Sequence, residues 1–152
     1  MADEMLGRLA RYLRFMGFDT AYARGLPDDE VRARAELEGR VLLTRDHALA
    51  HHTPGAVGLL ATDIDGQLAE LRRAFPTIRW EIRFERCTLC NGPLGRWTPS
   101  PGGPLPRGAP RELVEQGLAL YRCSDCGHVY WEGSHSEHVR SRIARATAAS
   151  EV

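Results

Sequence analysis

Three aspartates, Asp3, Asp28 and Asp46, each fall where a stretch of strand character gives way to one of helix character. In an alternating strand–helix chain such seams gather along one edge of the sheet, outside the carboxyl ends of the strands. A row of carboxylates there has no apolar reason to exist. Carboxylates are the hard oxygen ligands that Mg²⁺ and Mn²⁺ prefer. An ion held by them would activate water and stabilise charge developing on a phosphodiester, so metal-assisted hydrolysis is the first chemistry to test. Asp29, Glu30, Glu4, Asp63 and Asp65 are secondary candidates. Thr44 is placed to hydrogen-bond a carboxylate, and Arg45 to meet a substrate phosphate. Plainer roles stand beside these. Asp28 suits a helix N-cap, Asp46 a cap on the turn after residues 41–44, and Asp3 a solvated terminus. Singly, those roles suffice; the shared edge is what argues for metal.

The four cysteines form two pairs, Cys87-Thr88-Leu89-Cys90 and Cys123-Ser124-Asp125-Cys126. A C-x-x-C turn presents two thiolates to one ion, and two such knuckles complete a tetrahedral zinc site. Asn91-Gly92 and Gly127 follow the knuckles and permit tight turns. A closed set of four thiolates holds structure and leaves no open position for catalysis. Disulfides fit poorly with a chain whose start carries Asp3 and Glu4 where a secretion signal would be basic, and a cytoplasmic protein is expected.

No phosphate-binding glycine loop and no G-x-S-x-G elbow occurs, so a nucleotide-binding loop or a serine hydrolase lacks support. His47, His51 and His52 sit beside the Pro54-Gly55 break and read as surface residues. Formal net charge is zero, and all 20 basic residues are Arg. Residues 1–86 carry 13 Arg against 14 acids and residues 87–152 carry 7 against 6, so neither half is a basic module. No apolar run approaches the ~20 residues that span a bilayer, and no membrane partner is expected.

The elements that must position these residues follow from periodicity. Leu6, Leu9, Leu13 and Met16 recur at helical spacing over residues 4–16, with Arg8, Arg11 and Arg14 set opposite and Gly17 as a stop. Residues 18–23 read as a strand. Pro27 and three acids open a second helix that ends at Gly39. Residues 41–44 are an apolar strand, 47–52 a short helix or turn, 56–61 another strand, and 64–75 a third long helix. Residues 78–84 alternate as a last strand through Ile78, Trp80, Ile82 and Phe84. This order predicts an α/β fold with a mainly parallel sheet between two helical layers. Five of the nine prolines lie within residues 99–110, which read as a flexible loop. Ser134-His135-Ser136-Glu137 then fits a capping box, with Val139, Ile143 and Ala146 on one side of a closing helix.

Two runs, Asp3-x-x-Leu6-Gly7-x-Leu9-Ala10-Arg11-x-Leu13-Arg14 and Leu43-Thr44-Arg45-Asp46, together resemble the Mut-seven C-terminal RNase domain family. Asp28-Asp29-Glu30, the two C-x-x-C pairs, and Tyr130-Trp131-x-Gly133-Ser134-His135 agree, so the resemblance spans nearly the whole chain. It implies a PIN-like nuclease fold, a fused zinc ribbon and a metal-dependent ribonuclease acting on RNA. The family's acidic residues map onto Asp3, Asp28 and Asp46, with Asp29 beside them, as ligands of Mg²⁺ or Mn²⁺. Its L-A-R-x-L-R run maps onto Arg11 and Arg14, which are implied to contact RNA or brace the carboxylates; Ser134 and His135 are implied to pack near the site. The expected units are a nuclease domain over 1–84, a ribbon over 85–131 that holds Zn²⁺ on Cys87, Cys90, Cys123 and Cys126, and a C-terminal helix over 132–152 that packs on the domain and frays at its end. Two other classes stay open: a ribbon protein that binds RNA or a protein partner without cutting, and a PIN-type toxin held by an antitoxin.

Overall fold

The computed structural model describes residues 1–100 and 103–148. Four strands, β1 (Ala2–Asp3), β2 (Tyr22–Ala23), β3 (Leu43–Thr44) and β4 (Val57–Gly58), form a parallel sheet in the order β2-β1-β3-β4. Five helices belong to this half and its return: α1 (Gly7–Phe15), α2 (Asp28–Leu37), α3 (His47–His51), α4 (Ile64–Ala74) and, last in the chain, Ser134–Ala148. The sheet separates two cores, because adjacent strand residues point to opposite faces. Ala2, Leu43 and Leu59 pack with α1, α4 and the last helix. Met1, Ala23 and Leu42 pack with Val31 and Ala35 of α2 and Leu49 of α3. The α/β reading with a parallel sheet holds.

The strands are shorter than their apolar runs. β1 sits at the centre and pairs through only Ala2 and Asp3, so each neighbour meets it over one or two residues. A ladder is no longer than its shorter member. Residues 78–84 form no strand at all. They cross the surface as an extended strap joined to α1 by one backbone bond, Arg83 N–H to the Phe15 carbonyl at 2.9 Å. Their period-2 alternation has another cause: Trp80 and Ile82 lie on the core, while Phe84 stacks flat on Tyr121 at 4.7 Å.

Helix α1 ends as the sequence predicts. Gly17 takes φ +81°, its N–H bonds Arg14 O at 2.9 Å, and the Phe18 N–H bonds Leu13 O at 3.0 Å. This pair of bonds satisfies the terminal carbonyls in a Schellman turn. The arginine stripe is corrected. Arg8 and Arg11 are exposed, whereas Arg14 is only 7% exposed. A three-residue step falls about 60° short of a full turn, so two steps carry Arg14 round to the buried side.

The second half is a three-stranded antiparallel sheet of β5 (Leu94–Trp97), β6 (Leu120–Cys123) and β7 (Val129–Trp131). A short helix, α5 (Arg111–Glu115), follows the stretch read as loop. Residues 101 and 102 of that loop lie outside the described residues. Helix α6 (Ser134–Ala148) then returns to the first half, burying Val139, Ile143 and Ala146 against the α1–α4 core. The expected cap shifts by one residue. The Gly133 N–H donates to Ser136 Oγ at 2.9 Å, and the Glu137 N–H bonds the Gly133 carbonyl at 3.0 Å. Gly133 therefore sits at the cap and Ser136 supplies the reaching side chain. The frayed C-terminal end expected from sequence lies outside the described residues.

Candidate functional site

The first constellation lies at the carboxyl ends of β1 and β3. Asp3 closes β1 and starts a 3-10 turn over Glu4–Leu6, accepting the Met5 N–H on Oδ1 at 3.0 Å. Its other oxygen accepts a short hydrogen bond from the Thr44 hydroxyl. The same hydroxyl accepts the Asp46 N–H at 2.9 Å. Asp46 in turn caps α3 by accepting the Leu49 N–H at 2.9 Å. Thr44 is thus a fully buried joint between Asp3, the last residue of β1, and Asp46, two residues past the adjacent β3. Asp3 is 6% exposed, while Asp46 is open to solvent.

Asp28 and Asp29 occupy the first turn of α2 and are exposed. The expected cap is corrected: Pro27 is the N-cap, with the Val31 N–H on its carbonyl at 3.0 Å, and Asp28 makes no cap bond. Glu4 draws the preceding loop toward β1 by accepting the Gly25 N–H at 3.0 Å. Two secondary candidates have other employment. Asp63 caps α4 through the Gly66 N–H, which holds its carboxyl below the usual range, and Asp65 lies 3.6 Å from Arg142. Asp3, Asp28 and Asp46 therefore follow three adjacent strands of one edge. Among the described residues, only the cysteines bring three or more His, Cys, Asp or Glu ligand atoms within reach of a single ion. The carboxylates stand apart, and Thr44 links only Asp3 to Asp46.

The four sulfurs lie within 4.8 Å of one another. Cys87 and Cys126 are 3.6 Å apart, and Cys90 and Cys123 are 3.4 Å apart. Bonds of about 2.3 Å to a tetrahedral zinc place sulfurs about 3.8 Å from each other, so the quartet matches such a site and no pair is a disulfide. Four thiols in this space do not ionise independently. Burial opposes the Cys87 thiolate, but the Tyr130 hydroxyl and the Cys90 and Leu89 N–H groups outweigh it and bring its pKa to about 7. Burial and the crowded sulfurs push Cys90 up to about 12. Tyr130 ties the first knuckle to β7: its oxygen lies 3.1 Å from Cys87 Sγ and accepts the Thr88 N–H at 3.0 Å. The turns fit closely. Asn91 takes φ +69°, and a Cβ on Gly92 would come within 2.4 Å of Asp125. A four-cysteine cluster of this kind could bind a metal ion such as zinc.

Two polar ties bind the first knuckle to the parallel-sheet half. The Arg14 guanidinium donates to Thr20 O at 2.9 Å, Thr88 O at 3.2 Å and Leu89 O at 3.1 Å. Burial lowers its pKa. Arg14 was expected to meet RNA or brace carboxylates; in this fold it braces the knuckle backbone. Asp19 forms the second tie. It accepts from Arg40 at 2.9 Å and from Asn91 Nδ2 at 2.7 Å, with Arg86 3.7 Å away. These contacts hold its carboxyl below the usual range, Arg40 contributing most.

The remaining predicted residues separate. Arg45 is half-buried beside Thr44, and its Nε has no hydrogen-bond partner among the described residues. Arg11 and His135 lie elsewhere, in a cleft between α1, β7 and the start of α6, where His135 packs on Phe15 at 5.7 Å. Sequence reasoning missed the aromatic character of that cleft and the Asp19 tie. Both join residues more than 70 positions apart, such as Asp19 and Asn91, and no local pattern records such pairs.

The model of the Mut7-C RNAse domain family matches residues 1–143 of the 152-residue chain. No curated protein and no solved structure matches it.

Proposed function

The chain belongs to the Mut7-C RNAse domain family, and on that basis we propose that it is a metal-dependent ribonuclease whose catalytic edge carries Asp3, Asp28 and Asp46, with Asp29 beside them. The observation that carries this reading is the Asp3–Thr44–Asp46 chain at the carboxyl ends of β1 and β3. Burying Asp3 and donating a hydroxyl to it orients a carboxylate that solvent would otherwise let rotate. Asp46 and Asp28 keep exposed carboxylates farther along the same edge. This all-oxygen donor set is of the type Mg²⁺ or Mn²⁺ prefers, and the three aspartates would have to draw together to share one ion. When bound, such an ion supplies an activated water and charge stabilisation on the phosphodiester. Arg45, following Thr44, offers a fixed positive charge to the substrate phosphate. The cysteines hold a structural zinc that keeps both knuckles folded.

Asp46→Asn keeps the cap acceptor on the side chain and removes the charge. With single-stranded RNA and Mn²⁺, its cleavage rate is expected to fall about 100-fold or more, consistent with the several kcal/mol a metal contributes to the transition state. Wild-type cleavage by this variant overturns the reading. The spacing of the carboxylates favours one second reading, an RNA-binding module that does not cut. Saturable RNA binding with no cleavage in Mg²⁺, Mn²⁺ or Co²⁺ selects it.

A further inference from the structure

Between α1, the end of the antiparallel sheet and the start of α6 lies a cleft of about 540 Å³, within the range of small-ligand sites. Its walls are aromatic, with Tyr12 and Phe15 from α1, Phe84 from the strap, and Tyr130 and Trp131 from β7. All five are partly open to solvent.

The charge lining it is one-sided, with Glu132 and Glu137 just outside its α6 rim. The chain has 20 acids, yet none of the 16 residues lining this cleft is acidic. Arg8 and Arg11 reach its rim, both exposed. Arg34, Arg40, Arg83, Arg86, Arg140 and Arg142 each stand within 4 Å of a carboxylate. Arg8 and Arg11 have no such partner among the described residues. The opposite rim is the N-terminus of α6, a 15-residue helix. The Ser134 and His135 N–H groups there donate to nothing among the described residues, and a helix start of this kind favours anions.

Flat rings inside and cations at the rim are what an unpaired nucleotide requires, since stacking takes the base and guanidinium takes the phosphate. We propose that this cleft holds an unpaired base of single-stranded RNA, with its flanking phosphates on Arg8, Arg11 and the start of α6. The proposal deepens the ribonuclease reading and rests on it for the identity of the ligand. Arg8 lies in the first turn of α1, five residues past Asp3, so a strand seated in the cleft runs toward the carboxylate edge. A duplex keeps its bases stacked and cannot enter. The substrate class is therefore single-stranded RNA.

The test uses the full zinc-loaded chain without Mg²⁺ or Mn²⁺, a fluorescein-labelled RNA decamer, and the same decamer annealed to its complement. Anisotropy is expected to show the single strand bound about ten-fold or more tightly than the duplex. Arg8→Ala/Arg11→Ala changes only exposed side chains, and is expected to weaken binding about ten-fold and flatten its salt dependence. Trp131→Leu keeps apolar volume and removes the stacking face, with a loss on the order of ten-fold. If that variant misfolds, quenching of tryptophan fluorescence by the unlabelled decamer in a Trp80→Phe/Trp97→Phe chain, which keeps Trp131 alone, reports the same contact. Equal affinity for duplex and single strand, or wild-type binding by the double arginine variant, overturns the proposal. Failure of the ribonuclease reading looks different: binding through the cleft persists while Asp46→Asn and wild type cleave alike or not at all.

Discussion

The two constellations of this protein solve the problem of gathering like-charged ligands in opposite ways. The cysteine site is preassembled. C-x-x-C turns fix each pair, Tyr130 ties the first pair to β7, and all four sulfurs stand within 4.8 Å. The aspartates are spread along a sheet edge, and only Thr44 connects two of them. Chemistry accounts for the contrast. A thiol can stay protonated until a metal arrives, so crowding costs little. Carboxylates are ionised at neutral pH, and crowding them without a cation costs Coulomb repulsion. On the proposed reading, a structural ion is specified by covalent spacing, whereas a catalytic ion would be held by groups that wait apart.

The largest effect that breaks this contrast is loss of the preassembled side. Cys87→Ser, or a strong zinc chelator, is expected to unfold the antiparallel sheet. Structural zinc in isolated fingers contributes about 10–16 kcal/mol at neutral pH, more than a small sheet can replace. Metal analysis of the purified chain should find one zinc, and amide exchange should show protection lost first in β5–β7. Protection that survives chelation would mean the knuckles hold without an ion.

Removing the joint between the aspartates is the next step down. Thr44→Val conserves volume in a fully buried position but deprives Asp3 of a donor and the Asp46 N–H of its acceptor. Leaving such groups unpaired costs about 1–3 kcal/mol each. Denaturant midpoints should fall by a corresponding amount. RNA cleavage measured well below the melting point should fall further than stability explains, because Asp3 loses its orientation. Equal activity at equal folded fraction would reduce Thr44 to a packing residue.

Arg14 probes the seam between the two regions. Arg14→Met keeps the aliphatic stem and removes the donors to Thr20, Thr88 and Leu89, with an expected loss of about 2–3 kcal/mol. If the seam matters as argued, exchange should rise in residues 88–91 while the zinc content stays unchanged.

What was readable in the sequence follows the range of the interaction involved. The knuckles were readable because four residues determine each turn. So were the alternation of strands and helices and the stop at Gly17. The role of Arg14 was not, since two of its acceptors lie 74 and 75 residues away. Its spacing from Arg8 and Arg11 suggested a solvent face that helical drift removes. The strap at residues 78–84 shows the limit of a two-residue period. It reports alternating burial, and burial alternates equally well on an extended segment that has no ladder neighbour. Asp28 is a subtler case, because Pro27 was read as part of the helix start but not as its cap. The aspartate row was visible as a pattern along one edge, yet the separations between its members depend on how three crossovers end.

The smallest effect sharpens the seam through pH. Asp19 is partly exposed, and its carboxyl is held below the usual range by Arg40 first and Asn91 second, against an opposing effect of burial. A depressed acid contributes stability that is fully present above its unfolded value of about 3.9. That contribution is lost as pH falls through the lower folded value. Solvent screening limits it to about 1 kcal/mol or less. Acid would also protonate thiolates that hold the proposed zinc, which alone would destabilise the chain over a similar window. The informative quantity is therefore the difference in Tm between wild type and Asp19→Asn at each pH, from which the zinc contribution cancels. That difference should be at most about 2–4 °C near pH 7 and shrink toward zero in acid as Asp19 protonates in the wild type. A difference that stays constant with pH would assign the effect of the substitution to packing rather than to the charge Asp19 shares with Arg40 and Arg86.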